Sequence, residues 1–133
     1  MGALHLGHAS LIERALAEND SVVVSIFVNP TQFNNQEDLL NYPKTLNEDI
    51  ALIKAISSEI IIFAPTVAEI YDNVTTSNTY AFNGLEKVME GAFRAGHFNG
   101  VGTIVEALFN LIEPTRAYFG EKDFQQLRII QKL

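Results

Sequence analysis

Two short, almost uninterrupted apolar runs constrain this chain more than any other feature: Val22-Val23-Val24-Ser25-Ile26-Phe27-Val28 and Ile60-Ile61-Ile62-Phe63. Both are short and rich in β-branched side chains, which fit extended, pleated backbone. A strand that is apolar on both faces must be covered on both, as in a parallel sheet between layers of helices. The neighbouring segments carry the matching helical period. Residues 10–18 place Leu11, Ile12, Ala15 and Leu16 at helical spacing. Thr45 followed by Glu48 reads as a capping box opening a helix to about Ser57, with Ile50, Ile53 and Ile56 in phase. Further along, the pattern predicts a short helix from Thr66 through Tyr71 and a brief one at 85–90. It then predicts a helix at 101–112, a third strand at Arg116–Phe119 and a final helix at 122–132. Residues 72–83 read as a loop with a short edge strand at 79–82. Strands alternating with helices give a three-layer α/β fold with a parallel sheet.

Composition narrows the function. With 47% hydrophobic residues the chain is no disordered segment, and its length fits one domain. It carries 9 Lys+Arg against 16 Asp+Glu, a net charge of −7, which disfavours non-specific nucleic-acid binding but not a local anion cleft. The absence of Cys excludes disulfides, thiolate metal sites and a cysteine nucleophile. Only three His are present and no HExxH motif, so a zinc centre is disfavoured. No run approaches a bilayer span and no secretory signal opens the chain, so a cytoplasmic protein is expected. Without secretion the glycosylation triplet Asn73-Val74-Thr75 carries no meaning.

Four polar constellations stand out. His5-Leu6-Gly7-His8 lies at the start of the first helix, where unpaired N–H groups and the helix dipole favour an anion. Asn29-Pro30-Thr31-Gln32-Phe33 follows the carboxyl end of the first apolar run, the edge at which open α/β sheets bind ligands. Arg94-Ala95-Gly96-His97-Phe98-Asn99-Gly100 is a glycine-punctuated loop with a cation and an imidazole. Phe119-Gly120-Glu121-Lys122-Asp123-Phe124-Gln125-Gln126 offers a glycine for close approach, a lysine for phosphate and a carboxylate for a ribose hydroxyl. Each has a bland reading as well: surface histidines, an Asn-Pro turn, a flexible loop, a charged helix start. Together they contain no serine or cysteine nucleophile beside a base, which suits catalysis by positioning and charge stabilisation.

The motifs MGALHLGH, SIFVNPTQF, NYPKTL, RAGHFNGVGT and RAYFGEKDFQQL, in this order, resemble the pantothenate synthetase (pantoate–β-alanine ligase) family over nearly the whole chain. The resemblance implies a Rossmann-like domain of the nucleotidylyltransferase superfamily, usually in a homodimer. It implies ATP as substrate, Mg²⁺, and condensation of pantoate with β-alanine through a pantoyl-adenylate, releasing AMP and pyrophosphate. By the same resemblance His5, His8 and Lys122 are catalytic. Met1, Gly7, His8, Gly120, Lys122 and Asp123 hold ATP, and Asn29, Gln32, Arg94, His97 and Gln126 hold pantoate and β-alanine. Tyr42 and Asp49 fall near the phosphates and metal. Leu6 and Ala95 depart from the family pattern, where a polar residue and a proline are common. The family also has a strand before the segment matched by Met1, and a Ser-Ser-Arg loop and small C-terminal domain beyond Leu133. The expectation is therefore a partial N-terminal catalytic domain, lacking its first strand. Two alternatives stay open: another HxGH nucleotidylyltransferase, or an inactive nucleotide-binding or dimerisation module.

Overall fold

Both apolar runs become strands. A computed structural model describes residues 1–72 and 74–133, so Asn73, the first residue of the glycosylation triplet, lies outside the described residues. Strand β1 (Val23–Ser25) pairs in parallel with β2 (Ile61–Phe63), with Val23 opposite Ile61 and Ser25 opposite Phe63. The helices in chain order are α1 (Leu6–Glu18), α2 (Gln36–Asn41), α3 (Leu46–Ile56), α4 (Val67–Tyr71), α5 (Glu90–Phe93), α6 (His97–Ile112) and α7 (Phe124–Ile130). Single 3₁₀ turns occupy Pro30–Gln32, Leu85–Lys87 and Glu121–Asp123. The α/β class with a parallel sheet is as the sequence predicts. No described helix is long and apolar enough to cross a membrane.

The described residues divide into two units: Met1–Val28, Tyr42–Thr66 and Tyr118–Gly120 in the first, Asn29–Asn41, Val67–Ala117 and Glu121–Leu133 in the second. In the first, Ile12 and Ala15 of α1, Val22, Val24 and Ile26 around β1, Ile53 of α3 and Ile60 form one buried cluster. Met1 lies along the edge of β1: its backbone nitrogen donates to the Ser25 carbonyl at 2.9 Å and its carbonyl accepts from Phe27 N–H at 2.9 Å. In the second unit α6 packs on the Pro30–Gln32 turn and on α7. Its interior holds Phe82, Phe98, Val101, Ile104, Val105 and Ile129.

Several local expectations fail, each for a tertiary reason. Arg116–Phe119 forms no strand; Tyr118 anchors the segment through its side chain, its hydroxyl donating to Glu18 at 3.0 Å and accepting from Asn19 at 2.9 Å. Nor is there a strand at 79–82. There the N–H groups of Asn78 and Tyr80 are taken by α6 side chains, Thr103 Oγ1 at 2.8 Å and Asn99 Oδ1 at 3.1 Å, instead of by a ladder. Thr45 does precede α3 but makes no side-chain cap; its hydroxyl donates to the Asp49 carboxylate at 3.3 Å. The expected helix at 85–90 is a 3₁₀ turn followed by α5, and the expected final helix is a 3₁₀ turn followed by α7.

The largest correction concerns the glycine-punctuated stretch, read from sequence as loop through Gly100. It is helical from His97 onward, with Gly96 at φ +74° supplying the left-handed residue that starts α6. Gly100 and Gly102 sit inside the helix because neighbours press on it. A Cβ at Gly100 would lie 2.6 Å from the Thr31 carbonyl oxygen, and one at Gly102 2.9 Å from the Tyr80 ring. These glycines mark packing.

Candidate active site

In the first unit the motif preceding α1 is fastened at two points. Asp49, on α3 and 3% exposed, accepts the N–H of Ala3 at 3.1 Å on one carboxylate oxygen and that of Leu4 at 2.8 Å on the other. Ala3 is held at φ +48°, a conformation that costs an alanine on the order of 1–3 kcal/mol and persists only when its surroundings enforce it. The next two donors are satisfied by imidazoles. Gly7 N–H donates to His5 Nδ1 at 3.0 Å, and His5 N–H donates to His8 Nδ1 at 3.2 Å, closing a reciprocal cap with the rings 4.0 Å apart.

That geometry assigns a tautomer. A nitrogen that accepts an N–H carries no proton, so each neutral ring has its proton on Nε2. Two Nε2–H donors therefore stand at the N-terminus of a 13-residue helix, at its positive dipole end. Such an arrangement can donate hydrogen bonds to an anion. Gly7 is required by this arrangement, because a Cβ there would sit 2.8 Å from His5 Cε1. Gly7→Ala is expected to swing the His5 ring away and lower turnover about 10²-fold, the scale of a small misplacement of a positioning group. The melting temperature should stay within a few degrees, since a flexible ring is all that must move. A large stability loss by calorimetry would show instead that backbone gave way.

Asp49 was implied by resemblance to lie near a metal. Its two oxygens have another duty here, anchoring the turn of the histidine loop, a role that spacing in the sequence does not reveal. No group of three His, Asp or Glu side chains among the described residues is placed to hold a metal ion. Gly120 of this unit lies 3.9 Å, as an imagined Cβ, from Leu11, so packing within the chain does not demand glycine there. Tyr42 is exposed.

The second unit gathers an amide cluster. Asn29 is 4% exposed, and its Nδ2 donates to the Gly100 carbonyl at 2.9 Å and to Gln32 Oε1 at 3.0 Å. A carbonyl can only accept, so the orientation of the Asn29 amide is settled, and with it that of Gln32. Because Gln32 Oε1 accepts the hydrogen bond from Asn29, its Nε2–H₂ is the end left to meet a ligand. His97 joins from α6: its Nδ1 lies 3.1 Å from the Gln32 backbone carbonyl and must carry the proton there. Burial pushes the His97 imidazole below its usual pKa, partly countered by that hydrogen bond. The ring is thus neutral, with an unprotonated Nε2.

The remaining expected residues are placed less tightly. Arg94 is half-buried where α5 ends, Lys122 and Asp123 are exposed in the 3₁₀ turn before α7, and Gln126 is half-buried on α7. Its neighbour Gln125 is the buried one. Gln125 donates to the carbonyls of Leu85 and Val88 at 2.8 and 2.7 Å and accepts from Glu90 N–H at 3.0 Å, stapling that loop. Tyr71 was also missed. Its hydroxyl donates to Asn29 Oδ1, and nothing in the sequence links a tyrosine on α4 to an asparagine 42 positions earlier. For Gln125 a signal did exist, since it stands one helical turn before the buried Ile129.

Comparison with known proteins gives the family. The chain is 60% identical over 133 residues to pantothenate synthetase of Flavobacterium psychrophilum and to that of Christiangramia forsetii, matching all of this chain and 47% of each relative. It thus spans about half the length of the curated relatives it matches. A crystal structure of pantoate–β-alanine ligase (pantothenate synthetase) from Thermus thermophilus superposes with a TM-score of 0.93 at 48% identity, over 99% of this chain and 48% of that one. The Francisella tularensis pantoate–β-alanine ligase, complexed with β-γ ATP and β-alanine, gives 0.94 at 42% identity over 99% of this chain and 50% of that one. The family model for pantoate–β-alanine ligase matches residues 1–133. A match of that extent, on a chain carrying the paired imidazoles and the amide cluster, means that this chain belongs to the pantoate–β-alanine ligase family.

Proposed function

We propose that the protein carrying this chain is an ATP-dependent ligase that joins pantoate to β-alanine, giving pantothenate, AMP and pyrophosphate through a pantoyl-adenylate. The observation that carries this reading is the reciprocal His5–His8 cap, which engages both Nδ1 atoms at a helix N-terminus and leaves the Nε2–H ends as the donors for an anion. The names of the relatives, and the ATP-derived ligand and β-alanine in the Francisella structure, support it. In this scheme a pantoate carboxylate oxygen attacks the α-phosphorus. The bond to the bridging oxygen breaks and pyrophosphate leaves. The β-alanine amine then attacks the acyl carbon and displaces AMP. The acid is its own nucleophile, so the protein's task is alignment and neutralisation.

His5 and His8 bind phosphate oxygens, with Gly7 giving the space. Met1 and Gly120 line the nucleotide, Asp123 takes a ribose hydroxyl, and Lys122, exposed and long, follows the charge as pyrophosphate departs. Asn29, Gln32 and Gln126 orient pantoate, while Arg94 and His97 serve the acid and amine. Mg²⁺ fits as an ion held by the phosphates, whose charge it would screen, since the Asp49 oxygens are engaged by N–H groups. A cytoplasmic homodimer without nucleic-acid partners completes the proposal, in keeping with the acidic charge.

Substitution His5→Ala or Lys122→Ala is expected to lower pantoate-dependent pyrophosphate release by about 10²–10³-fold, as loss of one charge-stabilising donor does. Retention of that half-reaction would refute the assignment. Pyrophosphate release that needs no pantoate would point to a different nucleotidyl transfer, and absence of any ATP binding by calorimetry to an inactive module.

A further inference from the structure

The Asn29–Gln32 amide pair has a polarity, and something must impose it. One end is anchored by the Gly100 carbonyl. At the other, Asn29 Oδ1 accepts the Tyr71 hydroxyl proton and lies 3.0 Å from Thr31 Oγ1, while the two hydroxyls are 2.8 Å from each other. Burial raises the Tyr71 phenol above its ordinary pKa, outweighing its bonds to Thr31 and Asn29, so it remains a donor. Two hydroxyls, one from α4 and one from the 3₁₀ turn, thus converge on the Asn29 carbonyl oxygen. The Gly100 carbonyl holds Nδ2 and the two hydroxyls satisfy Oδ1, so Gln32 offers its N–H₂.

We propose that Tyr71, supported by Thr31, is a positioning residue that fixes this amide polarity, so that the site presents a donor and selects an acid through an acceptor oxygen. The inference rests on the reading of Asn29 and Gln32 as the acid-binding cluster. Tyr71 touches no substrate in this scheme; it acts through Asn29. Without its hydroxyl, Oδ1 keeps one partner instead of two, and the Gly100 carbonyl is left as the main constraint against the inverted Asn29 amide, which turns a carbonyl toward Gln32. An inverted pair repels an oxyanion where the native pair attracts it.

The test is Tyr71→Phe, which keeps the ring and removes only the hydroxyl, together with Thr31→Val and the double variant. In the active protein, KM for pantoate should rise about tenfold in Tyr71→Phe and further in the double variant, with KM for ATP within twofold of the parent. A structural role would move both constants and the melting temperature together. A readout independent of turnover accompanies it: the Asn29 side-chain amide protons, slow to exchange in the parent by NMR, should exchange at least tenfold faster in Tyr71→Phe. An unchanged pantoate KM, or unchanged Asn29 exchange, overturns the positioning role. If the parent itself shows no pantoate-dependent pyrophosphate release, the functional reading fails separately, and the exchange measurement still decides whether Tyr71 holds the amide.

Discussion

Gly100→Ala should destabilise the protein by roughly 1–3 kcal/mol, the usual cost of forcing atoms into a packed site. Intrinsic preference argues the other way, since alanine in a helix interior is favoured over glycine by about 1 kcal/mol. The contact decides the sign. The added Cβ would meet the Thr31 carbonyl oxygen at 2.6 Å, its carbon at 2.7 Å and the Gln32 nitrogen at 2.9 Å, all backbone atoms with no rotamer to change. Either α6 backs away from the Pro30–Gln32 turn or the turn distorts. Both moves break the Asn29 hydrogen bond to the Gly100 carbonyl, so pantoate affinity should fall with stability. Chemical denaturation of parent and variant checks the first effect and the pantoate KM the second. A variant more stable than the parent would mean that the close approach of helix and turn does not exist.

Asp49→Ala is expected to cost about 2–5 kcal/mol, because the N–H groups of Ala3 and Leu4 lose their acceptors and an unsatisfied buried donor costs about 1–3 kcal/mol. Asp49→Asn is the sharper experiment. Its volume is unchanged, but one oxygen becomes an NH₂ facing a backbone donor, so one anchor is replaced by a repulsion. Freed from its clamp, Ala3 can leave φ +48° and carry the histidine loop with it. Adenylate formation should drop by 10² or more, a scale typical of misplaced catalytic groups. Because the role is anchoring, the Mg²⁺ concentration giving half-maximal rate should not change. A strongly raised Mg²⁺ requirement in Asp49→Asn would show that the carboxylate serves the metal instead. Adding Ala3→Gly to the asparagine variant removes the backbone strain and should recover part of the stability.

These two residues illustrate how the sequence and the structure divide the information. The apolar runs at 22–28 and 60–63 announced strands correctly through their β-branched side chains, although the burial on both faces that they imply does not hold for β2, where Ile61 is 56% exposed. Ile12 and Ala15 of α1 and Ile53 of α3 were equally legible, since a helix buried on one side repeats its apolar positions locally. The histidine pair could be placed at a helix start from its neighbours alone. Gly100 misled, because a glycine needed for close packing and one needed for a turn are the same letter. The Arg116–Phe119 stretch misled for a related reason: a short mixed run says nothing about whether a ladder partner or an anchored Tyr118 side chain will hold it.

What the sequence by itself determined is the α/β class, the positions of strands and main helices, and the inventory of imidazole, amide and ammonium groups. Local chemistry and periodicity are written into neighbouring residues. Tertiary structure alone decided which groups are tools and which are supports: Asp49 beneath the histidine loop, Tyr71 behind Asn29, Gln125 rather than Gln126 in the interior. Hydrogen bonds between residues thirty-five or more positions apart have a direction and a geometry that no spacing rule encodes, and those directions set which end of each polar side chain is offered to a substrate.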